Sequence, residues 1–472
     1  MNRRLGLAFA LALALSACGN FSDRAAAGKT NEYVWLTRYD VKTIDPAAVQ
    51  DWTTGTVLSY LYPSIGELCT IETKDNLVFH LRVKPAQFTN GEPVTSEDIR
   101  QTIERCLWTE NLSTVGNQFA REIKGSSEYP NPNHDRHLGG LDVQPSQDID
   151  IYLDRPDTAF KEKLKNRAFG VTNHHMVRRD HPIEDYKLGY GAGNWTLEKI
   201  SPGTEWTLKR RKTGETLKFR FSGDSANRRN LYDTKAGDYA MFAAHEIGVV
   251  KGHKDLTKGG PTTLVYLQIN PKTKPALAKA LRFTMKAVIQ TYVHFNKILG
   301  DHVTKATSFT GAELDPLPSS GLPSEVKFND SQLQNEHFEI TFAEIGMQNP
   351  SVEALVSELR KLGMNIQGRA MPSGAMLEAN AKGEIPMLFT GWQPDFGGPL
   401  NTIPMLFHSK SSENHSGYSN PDVDALIDKA QQGIDTESNI NLAQSQIWLD
   451  APCIPLYVQR DLVLMRREPP KP

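Results

Sequence analysis

Apolar and polar positions alternate with period two over Leu77–Val83: Leu77, Phe79, Leu81 and Val83 interleave with Val78, His80 and Arg82, which predicts a half-buried strand. Ile149, Ile151 and Leu153 predict a second. Leu217, Phe219 and Phe221 predict a third, paired with the Trp206–Leu208 region across a Thr213-Gly214 turn. The period lengthens after the Asn90-Gly91 turn. Thr95 opens TSED, with Asp98 three residues on, a capping-box pattern, and Ile99, Ile103, Cys106 and Leu107 follow at helical spacing. Pro275 opens a longer helix with Leu277, Leu281, Met285 and Val288 on one face. The clearest helix is NPSVEALVSELRKLG, with Asn349 as cap, Pro350 at its first position, a stripe of Val352, Leu355, Val356 and Leu359, and Gly363 as stop. Two strands follow it, MNIQGRAM and PMLFTGW, and this order predicts a βαβ-type unit with a mostly parallel sheet. Asn420-Pro421 opens another capped helix, and the chain closes on a strand at IPLYV.

The N-terminus has a different pattern. Arg3 and Arg4 precede an uncharged apolar run, Leu5 to Leu15, and then Ser16, Ala17 and Cys18. This is the order of a secretory signal peptide over residues 1–17. The run is shorter than the roughly 20 residues a membrane-spanning helix needs. A cysteine after small residues at its end resembles the lipobox of bacterial lipoproteins, in which the cysteine thiol carries a diacylglycerol. The alternative is an ordinary signal peptide with an incidental cysteine. Residues 18–32 are small and polar and read as a flexible tether.

Composition narrows the class. A chain of 472 residues that is 39% hydrophobic and lacks a second spanning stretch predicts an exported globular protein of two or three domains. Loss of Arg3 and Arg4 with the signal peptide leaves 51 basic residues against 55 acidic ones, so nothing points to nucleic acid. Of four cysteines, Cys18 is assigned, and Cys69, Cys106 and Cys453 lack metal spacing. Cys69 and Cys106 either pair in the oxidising compartment or remain buried thiols. The position of Cys106 on an apolar helix face favours the latter. His134, Asp135 and His137, like His174-His175, do not supply three regularly spaced ligands, so no metal is expected. Lys209 to Lys212 reads as a solvated strand end. No GxSxG, HExxH or Gly-rich phosphate loop occurs, so neither an enzyme nor a cofactor is expected.

The order of motifs resembles the extracytoplasmic solute-binding proteins of peptide ABC importers, the family of the dipeptide- and oligopeptide-binding proteins. The resemblance runs from about Tyr33 to the end. TIDPA near Asp45 is similar to an early Asp-Pro segment, and LVFHLRVKPAQFTNGEPVTSEDI is the most specific block. GYGAGNW around Gly191, YLQIN with the Pro275 helix, GWQPDFGGP, NHSGYSNPDVDALIDKA and APCIPLYV follow in the family's order. Two departures put the ligand class in doubt. Lys286-Ala287 stands where the family usually has an Asp-Arg pair, and the chain is short between Leu314 and Phe338.

The resemblance implies a two-lobed periplasmic-binding-protein-like α/β fold (type II, cluster C) with mixed sheets and an extra inserted domain. Domain I would comprise residues 33–60, 186–263 and 450–472, domain II residues 61–185, and domain III residues 264–449. The ligand would lie between domains I and III, which close by hinge bending. Asp395 would pair with a peptide's α-amino group, Gly391 to Gln393 with its backbone, and Trp392 would form a cleft wall, its alternative being a core aromatic. Gln50, Asp51 and Trp52 follow the early Asp-Pro segment and either line the first lobe or form an exposed loop, the loop being slightly favoured. From the residues alone, Asp395 reads first as a turn cap before Gly397-Gly398. Permease subunits of an importer are the implied partners, and the chain is expected to be a monomer. Other readings are a surface sensor or pheromone receptor, a secreted hydrolase, or a binder of nickel chelates, opines or cell-wall peptides.

Overall fold

The computed structural model describes residues 31–108, 114–129, 137–185, 191–270, 275–291, 293–310, 336–344 and 349–472. Cys18, the signal peptide, His134, Asp135 and nearly all of the 314–338 segment lie outside them. No helix among the described residues is long and apolar enough to cross a membrane.

Eleven described strands form one long mixed sheet. At one end the strands His337–Ala343 and Asn365–Met371 run parallel, joined by the helix Pro350–Lys361. A βαβ unit thus forms as expected, but its first strand, His337–Ala343, is not among the strands read from the sequence, nor is the helix Ser373–Ala381 that separates the two that are. Asn349 caps the helix by accepting from the backbone N–H groups of Ser351 and Val352, and Val352, Leu355 and Leu359 are buried. The next strand, Met387–Trp392, does not lie beside Asn365–Met371. It pairs on the other side of His337–Ala343, again parallel. At the far end of the sheet, Glu32–Thr37 runs parallel to Thr216–Phe221, which pairs with Glu205–Arg210. There Trp206 opposes Phe219 and Leu208 opposes Leu217, the pairing predicted across the Gly214 turn.

Two long strands join these ends. Leu256–Ile269 pairs with Met387–Trp392, and Cys453–Met465 pairs with Tyr239–Phe242. They pair with each other antiparallel over most of their length, with register shifts at Gly259/Thr262 and Val265/Tyr266. The predicted IPLYV strand is only the first part of Cys453–Met465. Its continuation is obscured in the sequence by the polar run Gln459-Arg460-Asp461, and Gln459 and Asp461 face a cavity instead of a core. Each bulge bends its strand and increases the local twist.

A separate four-stranded antiparallel sheet, with Cys69–Thr73, Val78–Val83, Asp148–Tyr152 and Leu141–Val143 side by side, falls within the segment expected to be inserted. Phe79 and Leu81 point into its core, while His80 and Arg82 on the other face meet Asp150 and Asp148. The helix Ser96–Leu107 covers the inner face with Ile99, Ile103, Cys106 and Leu107, and Thr95 and Asp98 close the predicted capping box. In the Pro275–Thr291 helix, Leu281, Met285 and Val288 are buried, and Leu277's side chain lies outside the described set. Lys286 is buried there without an acid among the described residues. Its Nζ donates to the carbonyl of Trp448 at 2.9 Å and sits 3.7 Å over that ring, and burial pushes its pKa down to about 8.

The GYGAGNW turn carries glycine for a steric reason. A Cβ on Gly191 would lie 2.2 Å from the Leu61 carbonyl oxygen, and one on Gly193 would lie 2.3 Å from that of Tyr60.

The possible Cys69–Cys106 pairing is not formed. Both thiols are free, as is Cys453. Cys69 begins a strand and Cys106 lies on the covering helix, with its Sγ donating to the Ala168 carbonyl at 3.4 Å. Burial pushes both thiols up to about 12. A thiol reagent is therefore expected to find none of Cys69, Cys106 and Cys453 in the folded chain, and all three in denaturant without prior reduction. A count of one in denaturant would show a disulfide.

Candidate functional site

Two cavities meet where the two long strands pass between the lobes. One, of about 320 Å³, is lined by Arg38, His245, Thr263, Phe389 and Asp461 among others. The second, of about 370 Å³, is lined by Arg167, Tyr266, Leu388, Asp395 and Glu413 among others. Asp51, Trp52, Thr390, Gly391 and Gln393 line both.

The end of the strand Met387–Trp392 explains this arrangement. On one side it is paired through Trp392, which opposes Leu264. On the other, His337–Ala343 pairs only with Leu388 and Phe389. Beyond Phe389 no described strand occupies that side, so the backbone at Thr390–Gln393 presents an open sheet edge to the cleft. Side chains of a strand alternate between faces. Leu388 and Tyr266 therefore face one cavity, and Phe389, Val265 and Thr263 face the other. At Gly391 a Cβ would meet Thr263 Cγ2 at 2.9 Å, so a side chain there would crowd the edge.

Asp395 follows the strand directly. It does not cap the Gly397-Gly398 turn; its Oδ1 accepts from Asn166 Nδ2 at 3.0 Å. Asp395 is exposed to the cleft, although protein groups crowd the surroundings of its carboxylate. The lost hydration raises its pKa to about 6, against the opposing effects of the Asn166 hydrogen bond and the Arg167 guanidinium. Glu413 lies in the same cavity. Burial raises its pKa, and the Asp395 charge adds to the rise. His415, 3.8 Å from Glu413, is pushed down by burial and so tends to neutrality.

The first lobe contributes Asp51 and Trp52. Asp51 caps the helix Trp52–Ser59, accepting from the N–H of Thr54 at 2.8 Å and from its hydroxyl at 2.6 Å. Its carboxylate is thus largely committed to the fold. The Trp52 ring lies 5.3 Å from the Arg167 guanidinium, whose Nη1 donates to the Trp52 carbonyl. Trp392 both lines the cavity and packs against two cores, with its Nε1 donating to Asn401 Oδ1 at 3.2 Å. Gln50 also lines the second cavity.

The sequence-predicted residues Asp51, Trp52, Gly391, Trp392, Gln393 and Asp395 therefore converge on one cleft. Asn166, Arg167, Arg38, Asp461, Tyr266 and Glu413 join them without any sequence signal, because each comes from a stretch whose local pattern only describes its own turn or strand. His174 is part of the fold and not of this cleft: its ring and backbone N–H both contact Asp98. Among the described residues, no group of three or more His, Cys, Asp or Glu is placed to hold a metal ion.

Residues 70–414 match the middle region of the bacterial extracellular solute-binding proteins, family 5. The chain belongs to this family. It is a solute-binding protein and not an enzyme. The family 5 chain is 20% identical over 444 residues to the dipeptide-binding protein DppE of Bacillus subtilis, covering 86% of this chain and 80% of that protein. It is 22% identical over 508 residues to the probable D,D-dipeptide-binding periplasmic protein DdpA of Escherichia coli, covering 97% and 94%. Its fold is similar to the Escherichia coli murein tripeptide binding protein MppA, with a TM-score of 0.77 at 17% identity over 92% of this chain and 94% of that one. The two-lobed α/β fold expected of family 5 is thus the fold observed.

Proposed function

We propose that the protein is an extracytoplasmic lipoprotein, tethered through Cys18, that captures short peptides with a free amino terminus and passes them to the permease of an ABC importer. The observation that carries this reading is the Asp395 carboxylate, open to the cleft between the lobes at the end of the open Thr390–Gln393 edge, beside the Asn166 amide and the Arg167 guanidinium. An ammonium ion leaves water at a cost of several kcal/mol unless a fixed acid receives it. A backbone edge receives any extended peptide regardless of sequence. Asp395 and Gly391–Gln393 supply these two functions, and Trp52 and Trp392 the walls. The named relatives DppE and DdpA support peptides as the ligand class. The bulged ladder supplies a hinge, and a peptide contacting both lobes favours the closed state over the open one. The protein acts as a monomer.

Titration calorimetry with short unblocked peptides tests this. The groups facing Asp395 are the Asn166 amide, the Arg167 guanidinium and the Glu413 carboxylate. An ammonium binds the ionised form of Asp395 and lowers its pKa below the free value of about 6. Affinity is therefore complete above that value and falls as pH drops through it, by up to about tenfold per unit. A pH-independent affinity between 7.5 and 4.5 would remove Asp395 from the role. Failure of all unblocked peptides to bind would remove the peptide reading.

A further inference from the structure

The cavity on the Leu388 face has a deep wall that the anchoring of an amino terminus does not use. Tyr266 and Asn380, only 6% and 5% exposed, both line it. Asn380 Oδ1 is taken by Gln268 Nε2 at 2.8 Å. Among the described residues, neither Asn380 Nδ2 nor Tyr266 Oη has a hydrogen-bond partner, and neither is fully sealed from the cavity. Glu413 stands with them. Its side chain is 16% exposed, and its charged contact is His415, which burial keeps toward neutrality. Leu377, Leu388 and Leu406 supply the apolar remainder. The wall therefore holds a carboxylate without a cation, a free hydroxyl and a free amide donor, lined by leucines that suit an aliphatic stem.

An extended peptide on the Thr390–Gln393 edge sends alternate side chains to opposite faces of the sheet. Side chains near its amino terminus thus point into this cavity or into the one lined by Phe389. We infer that Glu413, with Tyr266 and Asn380, forms a side-chain pocket selecting peptides with a lysine or arginine among their first two residues. This rests on the peptide reading above and adds to it a preference that a single anchoring acid cannot give. Three carboxylates line this cavity; Asp51 is held by the Thr54 N–H and hydroxyl, which leaves Asp395 and Glu413 with one guanidinium, Arg167, itself engaged with the Trp52 carbonyl. A ligand bringing one positive charge leaves the second acid poorly compensated, whereas one bringing two answers both. The apolar stem of lysine or arginine packs on the leucines while its head reaches the acid.

The test measures the affinities of Lys-Ala-Ala, Ala-Lys-Ala and Ala-Ala-Ala for the wild type and for Glu413→Gln at pH 7.5. The wild type is expected to favour one of the two lysine peptides over Ala-Ala-Ala by at least about tenfold, the scale of one charge-assisted hydrogen bond. In Glu413→Gln that ratio is expected to collapse to within about threefold. Binding of Ala-Ala-Ala by the variant reports that it is folded. If the wild type binds Ala-Ala-Ala as well as both lysine peptides, or if the preference survives Glu413→Gln, this inference falls and the peptide reading stands. If the wild type binds none of the three, both fall.

Discussion

Replacing Asp395 by Asn is expected to weaken the binding of an unblocked tripeptide by roughly 30- to 1000-fold, corresponding to about 2–4 kcal/mol for a hydrogen-bonded charge pair that the closed cleft takes out of water. The same change is expected to alter the affinity of the N-acetylated peptide by less than about threefold, since an acetylated nitrogen carries no charge. The contrast between the two ligands separates an anchoring role from a packing role. Asn is close in size to Asp and keeps an acceptor for the Asn166 Nδ2, so the cavity's shape is preserved. Calorimetry on the two proteins with the two peptides gives the four constants required. Equal losses for both peptides would mean that Asp395 holds the loop in place and does not receive the amine. Removal of the charge also relieves Glu413, whose pKa is raised in part by Asp395. Its pKa is expected to move down toward the ordinary carboxylate value in the variant.

The largest expected effect on stability lies away from the cleft. Asp45 and Arg105 are both essentially sealed from solvent, at 0% and 1% exposure, and form an ion pair between the early Asp-Pro segment and the helix Ser96–Leu107. Asp45 also accepts from the N–H groups of Ala47 and Ile183. Arg105 donates to the carbonyls of Arg178 and His181, and its Nε has no partner among the described residues. Asp45→Ala removes the carboxylate paired with that guanidinium and leaves two buried N–H groups without their acceptor. Breaking such a pair from one side costs about 3–5 kcal/mol, because a charge remains buried without its partner. Urea unfolding followed by tryptophan fluorescence is expected to show a loss of this size. The double replacement Asp45→Leu with Arg105→Met is expected to lose less than the single one, since it buries no unpaired charge. A loss below about 1 kcal/mol in Asp45→Ala would show that the backbone carbonyls alone satisfy Arg105.

Much of the local structure is legible in the residues themselves. The Thr95–Asp98 capping box, the Asn349-Pro350 helix start and the alternation around Phe79 and Leu217 are local patterns, and each forms where its pattern places it. GWQPDF puts Asp395 at a strand end because an apolar run followed by a polar turn marks where a strand leaves the core. The two connecting strands are only half legible. Their middles, TKGGPTT and QRD, are polar, and Thr263, Gln459 and Asp461 line a cavity, so the hydrophobic pattern breaks where the strands leave the core. Cys69 and Cys106 prove to be free thiols, which spacing could not decide, since sequence gives no side-chain direction between a strand and the helix above it.

The sequence by itself determined the element types and the family, because these depend on residues near each other along the chain. Only the tertiary structure decided what faces Asp395. Asn166 is 229 positions away from it, and Glu413 has no pattern that distinguishes it from any exposed acid. The raised pKa of Asp395 is a property of that assembly, because hydration is lost only when other segments close around the group.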